Sequence, residues 1–597
     1  MTGLPEPPDI TMKQRFCKMA ALLFFASQCA LGAEPLYQPA GAPADPKVSV
    51  LWNRYYDYAE ATRLLKAFAD EHKDLTHLRS LGRSYGGRHI WLLTISNPHT
   101  GDHHTKPAFW IDGGIHGNEI QSTEVTLYTA WYLLEMYGRN EFITRLVDER
   151  TFYMVPMLSP DSRDAHMHEP ATTHTPRTGM RPFDADRDGL FDEDGPNDLD
   201  GDGHITQMRV RDPNGRYIPH PKYPHVMIRA EPDQPGQYRL LGPEGYDVDG
   251  DGRINEDGPG GYDPNRDWPW QWQPEYVQRG AGPYPLWVGP NRMAAEFIIE
   301  HPNIAAAQSY HNTGGMIVRG PGVRSERWDQ ADVAVFDALA KRGEEILPGY
   351  RYVQMGEDLY EGHGVEFDWL YAMRGIFAFT NELFAPENFF RQTDAGRFFA
   401  TEETRAKFDR LLLFGDGFVP WREVDHPQYG RIEVGGMKKN WGRQPPSFML
   451  EEECHRNMAF SLYHADQMPQ VQIQRLAVDA LGDGLFEVTA AFSNPKLMPT
   501  RAAVDVQRNI TPPDLARIEG QDLTVIAGLW STDQFFLDAT EQVHEPERLR
   551  IAAIPGMGAV HVRWLVKGSG AWEVSLQSIK GGSAEDTANN SDSRAAP

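Results

Sequence analysis

A histidine followed three residues later by a glutamate can place an imidazole nitrogen and a carboxylate oxygen on one metal ion. This chain of 597 residues carries that spacing four times, at His116/Glu119, His166/Glu169, His363/Glu366 and His544/Glu547. Context separates the four. His116 follows the apolar run Ala108-Phe109-Trp110-Ile111 and a pair of glycines, and a helical pattern begins at Glu119. That puts two ligands at the carboxyl end of a strand, where α/β proteins build their sites. His166 sits in a polar stretch, His363 in a Gly-flanked turn and His544 beside Pro546. A catalytic zinc takes three protein ligands and keeps a fourth position open, so a distant histidine is required. His311 ends the apolar run before Asn312-Thr313-Gly314 and is the best third ligand.

A second group of residues suits a harder cation. Asp184-Ala-Asp186-Arg-Asp188-Gly189, followed by Glu193-Asp194-Gly195-Pro196, recurs as Asp247-Val-Asp249-Gly-Asp251-Gly252, followed by Glu256-Asp257-Gly258-Pro259. A shorter cousin is Asp198-Leu-Asp200-Gly-Asp202-Gly203. Carboxylates at positions 1, 3 and 5 with glycine at 6 open a calcium loop of the EF-hand type. Position 12, normally a bidentate Glu, is here Gly195, Arg209 or Gly258, and no flanking helix pair is evident. The loops are therefore not ordinary EF-hands, but the nine aspartates at their odd positions are candidate ligands for a structural Ca2+. Such an ion would order the segment that leads toward the substrate entrance.

The elements that must position these groups can be read from periodicity. Residues 54–70 place Tyr58, Ala61, Leu65 and Phe68 at helical spacing. Residues 78–81 and 89–96 read as paired strands around Tyr85-Gly86-Gly87, residues 108–111 as a buried strand, and residues 119–137 as a helix. Strands alternating with helices, resuming from residue 292 to about 414, predict an α/β domain over about 45–420. Residues 170–290, rich in Pro, Gly and Asp, read as an insertion of loops, and 421–467 as a connecting segment. Short alternating runs at 471–478, 485–490, 549–554 and 560–566 predict an all-β, sandwich-like domain over 468–580, with 581–597 a disordered tail.

Composition narrows the function classes. There are 84 acidic against 58 basic side chains, a formal net charge of −26, which argues against nucleic acid or an anionic membrane as partner. The three cysteines, Cys17, Cys29 and Cys454, exclude a disulfide framework. Residues 1–33 have the basic, apolar, small-residue order of a signal peptide, starting best at Met12, so a secreted or periplasmic protein is expected. No later stretch approaches the roughly 18 apolar residues of a membrane span.

Taken together and in chain order, these motifs resemble a zinc metallocarboxypeptidase of the M14 family, with the mixed sheet and flanking helices of pancreatic carboxypeptidase A, over residues 56–414. The resemblance implies one catalytic Zn2+ on His116, Glu119 and His311. It implies an Asn265-Arg266 pair gripping the terminal carboxylate of a peptide substrate, a capping Tyr360, and Glu382 as general base, in register with Asp368-Trp369. The family's oxyanion-stabilising arginine stands in a Trp-Arg-Lys context absent here; Arg181 is the candidate and Arg177 the reserve. The specificity position is Phe367, which implies an apolar or small C-terminal residue. Three functions stay open: an exported carboxypeptidase acting on peptides or muropeptides, an amidase-type deacylase of small acylated amino acids, and an inactive calcium-dependent binding protein.

Overall fold

Asp57 starts the first helix among the described residues by accepting the Glu60 N–H at 2.7 Å, while the Glu60 carboxylate accepts from the Asp57 N–H at 3.3 Å. Such a reciprocal cap is worth about 1 kcal/mol. The helix, Tyr58–Glu71, turns Ala61, Leu65 and Phe68 into the core. These features belong to a computed structural model that describes residues 40–185, 187–385, 390, 400–589 and 594–595. The expected signal peptide and Asp186 lie outside the described residues. Residues 40–47 form turns and bends.

The chain from Val48 onward is built on an eight-stranded mixed sheet. Its strands are β1 (Thr76–Arg83), β2 (His89–Ile95), β3 (Ala108–Gly113), β4 (Thr151–Val155), β9 (Ile304–Asn312), β10 (Met316–Arg319), β11 (Arg351–Gln354) and β12 (Phe377–Leu383). Their order is β1-β2-β4-β3-β9-β12-β10-β11. The central strands β4, β3, β9 and β12 run parallel, and β10 is antiparallel to β12. Every residue of β3, β4 and β9 is buried, as expected of parallel strands covered on both faces. The helices Gln121–Met136 and Ser447–Asp466 pack together on one side, while Trp110, Phe297 and Trp369 belong to the apolar cluster on the other.

The residues between the first metal motif and the clamp are not loops alone. Four short strands, β5 (Gln207–Arg211), β6 (Tyr217–Pro219), β7 (Met227–Arg229) and β8 (Tyr238–Pro243), join β13 (Phe418–His426) and β14 (Gly430–Met437) in a second sheet, ordered β13-β14-β5-β8-β6-β7. This corrects the reading of 170–290 as loops and of 421–467 as a connector. Strands of three to six residues leave little local periodicity to detect, and the pairing of β5 with β14 joins segments far apart in the chain. Arg209 holds the seam, its Nε 2.6 Å from Glu433 and its guanidinium stacked on Trp421 and Tyr238.

Beyond Gln472 the described regular elements are strands apart from the helix Ala503–Arg508, in a six-stranded and a four-stranded sheet whose buried faces meet around Trp564 and Trp572. The expected disordered tail includes the strand Gly582–Asn589, paired along its whole length with Ala571–Ser578. Its polar composition hid it, because an edge strand with one solvated face needs few apolar residues.

Candidate metal centre

The parallel strands β3, β9 and β12 end side by side, and the chemistry-bearing residues are at those ends. His116 lies three residues past β3, His311 is the penultimate residue of β9 and Glu382 the penultimate residue of β12. Glu382 is the direct register partner of His311. Gly113 comes so close to Ser122 that a Cβ there would meet its backbone oxygen at 2.8 Å, and Gly117 would meet Ser162. The turn carrying His116 and Glu119 thus needs glycine on either side of the histidine.

His116, Glu119 and His311 are 1–2% exposed. Glu119 Oε2 is 3.1 Å from His116 Nδ1 and 2.9 Å from His311 Nδ1, and the two Nδ1 atoms are 3.1 Å apart. The far edges of the rings are engaged elsewhere. His116 Nε2 lies 2.9 Å from Asp263 Oδ1, and His311 Nε2 lies 3.5 Å from Asn265 Nδ2. A carboxylate on Nε2 holds the proton there and leaves Nδ1 of His116 bare toward the cluster. Glu119 Oε2 is buried without a hydrogen-bond partner, while Oε1 lies 2.6 Å from Arg177 and 3.2 Å from Arg443. Two imidazole nitrogens and one orphaned carboxylate oxygen aimed at a common point fit a zinc ion with an open coordination position.

Charge is distributed accordingly. Burial pushes Glu119 upward, but the charges of His116, Arg177 and His311 outweigh it and hold the carboxyl well below its usual range. Burial likewise raises Asp263, and His116, Arg177 and Arg266 more than reverse it. Glu382 goes the other way: burial and the neighbouring charge of Glu119 push it up to about 7, against the pull of His311, Arg177 and Arg443. A carboxyl near neutrality beside a metal cluster is suited to proton transfer in both directions.

A cleft of about 1220 Å³ opens over the cluster, lined among others by Glu119, Arg177, Asn312, Tyr360, Glu382 and Arg443. Asn265 and Arg266 sit in a short 3-10 turn, both largely buried. Arg266 reaches the Tyr360 hydroxyl at 3.3 Å, and Tyr360 is half-exposed at the rim. Two expected residues are elsewhere. Arg181 stacks on Trp287 with 4.0 Å to the ring centre and its backbone N–H bonds Tyr262, so it does not reach the cluster; Arg177 does. Phe367 is buried in the apolar cluster with Trp369 and Leu370 and is absent from the cleft wall. The other three His-x-x-Glu pairs serve the fold or the surface: His166 bonds Thr175 O, His363 bonds Gln271 O, and His544 lies between short strands of the C-terminal domain.

Sequence reasoning missed two groups. Asp263 stands two residues before Asn265, so a search for a carboxylate to orient a ligating histidine had a place to look. Arg443, in Trp441-Gly-Arg-Gln-Pro, carried no signal: it reaches Glu119 only because the chain returns after β14, and it also donates to Asn312 O.

Residues 61–193 match the family profile of zinc carboxypeptidases, peptidase M14, and residues 470–589 match DUF8731, a domain of unknown function. Carboxypeptidase D of Rattus norvegicus is 35% identical over 135 residues, which is 23% of this chain and 10% of that protein. Carboxypeptidase M of Mus musculus is 30% identical over 120 residues, 20% of this chain and 27% of that protein. The chain thus spans between a tenth and about a quarter of the length of these two relatives. Among solved structures, thrombin activatable fibrinolysis inhibitor superimposes with a TM-score of 0.42 at 16% identity, covering 71% of this chain and 76% of that one. Carboxypeptidase A from Helicoverpa armigera gives 0.37 at 17% identity, covering 62% and 71%.

Proposed function

We propose, from the match of residues 61–193 to the M14 zinc carboxypeptidase profile, that the chain is an exported, zinc-dependent carboxypeptidase that hydrolyses the C-terminal peptide bond of its substrates. The observation that carries the reading is the convergence of His116 Nδ1, His311 Nδ1 and the unpartnered Glu119 Oε2, with Glu382 beside them and Arg266 within the same region. These three residues would hold a zinc ion, which would supply Lewis acidity and lower the pKa of a water toward about 7.

The remaining work falls to side chains. Arg266, buried and with Tyr360 at its tip, takes the terminal carboxylate of the peptide, and Asn265 adds a donor; this confines cleavage to chain ends. Glu382 accepts a proton from the attacking water and delivers it to the leaving amine. Arg177, in the cleft wall next to the candidate ligand Glu119, takes the oxyanion-stabilising role in place of Arg181. Tyr360, half-exposed, caps the bound residue.

Release of C-terminal amino acids from a peptide panel tests the proposal. Activity is expected to vanish with a zinc chelator and return with Zn2+. Glu382→Gln should lower kcat by about 10²- to 10⁴-fold while the protein retains its zinc. A zinc-loaded wild-type protein that trims no peptide terminus would refute it.

A further inference from the structure

The two acidic repeats lie against each other. Asp194 and Asp257, at equivalent places in them, form an antiparallel bridge, with Asp194 N–H donating to Asp257 O at 3.2 Å. Their side chains cross over. Asp194 Oδ2 accepts from Val248 N–H of the second repeat at 3.2 Å, and Asp257 Oδ1 accepts from Ala185 N–H of the first at 3.0 Å. The tail aspartate of one repeat is thereby delivered to the Asp-x-Asp-x-Asp-Gly loop of the other.

In the second loop the result is a basin of carboxylates. Asp194, Asp247 and Asp249 each offer an oxygen within 4.8 Å of the others, and so do Asp249, Asp251 and Glu256. Asp194 is 1% exposed and its Oδ1 has no hydrogen-bond partner; both carboxylate oxygens of Glu256 are buried and likewise unsatisfied. The nearby cation is Arg253, 3.6 Å from Asp251 at the exposed rim. Asp249 and Asp251 are exposed and Asp247 half-buried; the buried, unsatisfied oxygens of Asp194 and Glu256 that face them are costly to keep charged unless a cation is placed among them. The third loop makes the contrast: Glu244 there accepts from Thr206 and Leu199, and Arg422 lies 3.1 Å from Asp200 and 3.4 Å from Asp202. A guanidinium already stands against two of its acids.

We propose that Asp247, Asp249, Asp251 and Glu256 hold a Ca2+ ion whose coordination is completed across the repeat by Asp194. Oxygen donors in this number, on a loop of variable geometry, suit Ca2+ better than the strict octahedron of Mg2+. The crossover explains the missing twelfth-position glutamate: the ligand comes from the other repeat instead of from the same loop. The site also has a place in the architecture, because the chain leaves Glu256 and reaches Asp263, the partner of His116, seven residues later. The proposal does not depend on the hydrolytic activity.

Calcium uptake by the full-length protein, followed by equilibrium dialysis and calorimetry, tests it. Asp194→Asn and Glu256→Gln are each expected to bind one equivalent fewer than wild type, or to bind it at least tenfold more weakly, whereas Asp198→Asn in the third loop keeps it. As a measurement on the wild-type chain, saturating Ca2+ should slow proteolysis within residues 184–260 relative to a chelator. Unchanged binding in both Asp194→Asn and Glu256→Gln overturns the proposal. So does unchanged proteolysis, or absence of wild-type binding up to about 10 mM, well above the weakest affinities of roughly 1 mM for such loops.

Discussion

Glu382 and His311 are register partners on the adjacent parallel strands β12 and β9, so one backbone ladder places the proposed general base beside a proposed ligating imidazole. Burial and Glu119 raise Glu382 to about 7, and it must be ionised to accept a proton. kcat/KM should therefore fall as the pH drops through this value. A bound dication favours the carboxylate, so the acid limb is expected at or below pH 7. A pH–rate profile of the zinc enzyme checks this, and a limb clearly above 7 would contradict it.

Arg443 shares Glu119 Oε1 with Arg177 while also holding Asn312 O and contacting His174. Groups that orient a metal ligand typically contribute 10- to 100-fold in metal affinity or activity. Arg443→Met should cost about that much, read by chelator competition and by kcat/KM. Arg443→Lys should recover little, since a point charge cannot serve several acceptors at once.

Arg266 is expected to discriminate a free carboxylate from an amide. Removing a buried, charge-assisted contact costs about 2–3 kcal/mol, so Arg266→Met should lower kcat/KM for peptides with free termini by roughly 30- to 150-fold. C-terminally amidated peptides should be little affected. A ratio of the two rates unchanged by the mutation would remove Arg266 from the clamp.

Lys580 pins the C-terminal domain to the catalytic layer. Buried, it donates to Arg374 O at 2.7 Å and Gly375 O at 2.8 Å and pairs with Asp505 at 3.1 Å. Lys580→Met leaves Asp505 buried with Arg501 as its remaining ion-pair partner, and should destabilise the protein by about 3 kcal/mol. Urea unfolding checks the magnitude.

Residue type at short spacing is what the sequence by itself determined. His116 with Glu119 after an apolar strand, His311 at the end of another, and Asp-x-Asp-x-Asp-Gly three times over are legible because the chemistry dictates the residues and the local chain dictates the spacing. The helix at Tyr58 and strands β1 to β3 are legible for the same reason, their periodicity being local. What tertiary structure decided are the relations between distant segments. It put Arg177 at Glu119 and Arg181 on Trp287, buried Phe367 away from the cleft, brought Arg443 back across 324 residues, paired the insertion with β14, and crossed Asp194 into the loop of the other repeat. None of these leaves a periodic trace, because a contact between remote residues constrains each segment only through its partner, and the partner is identified only when the chain has folded.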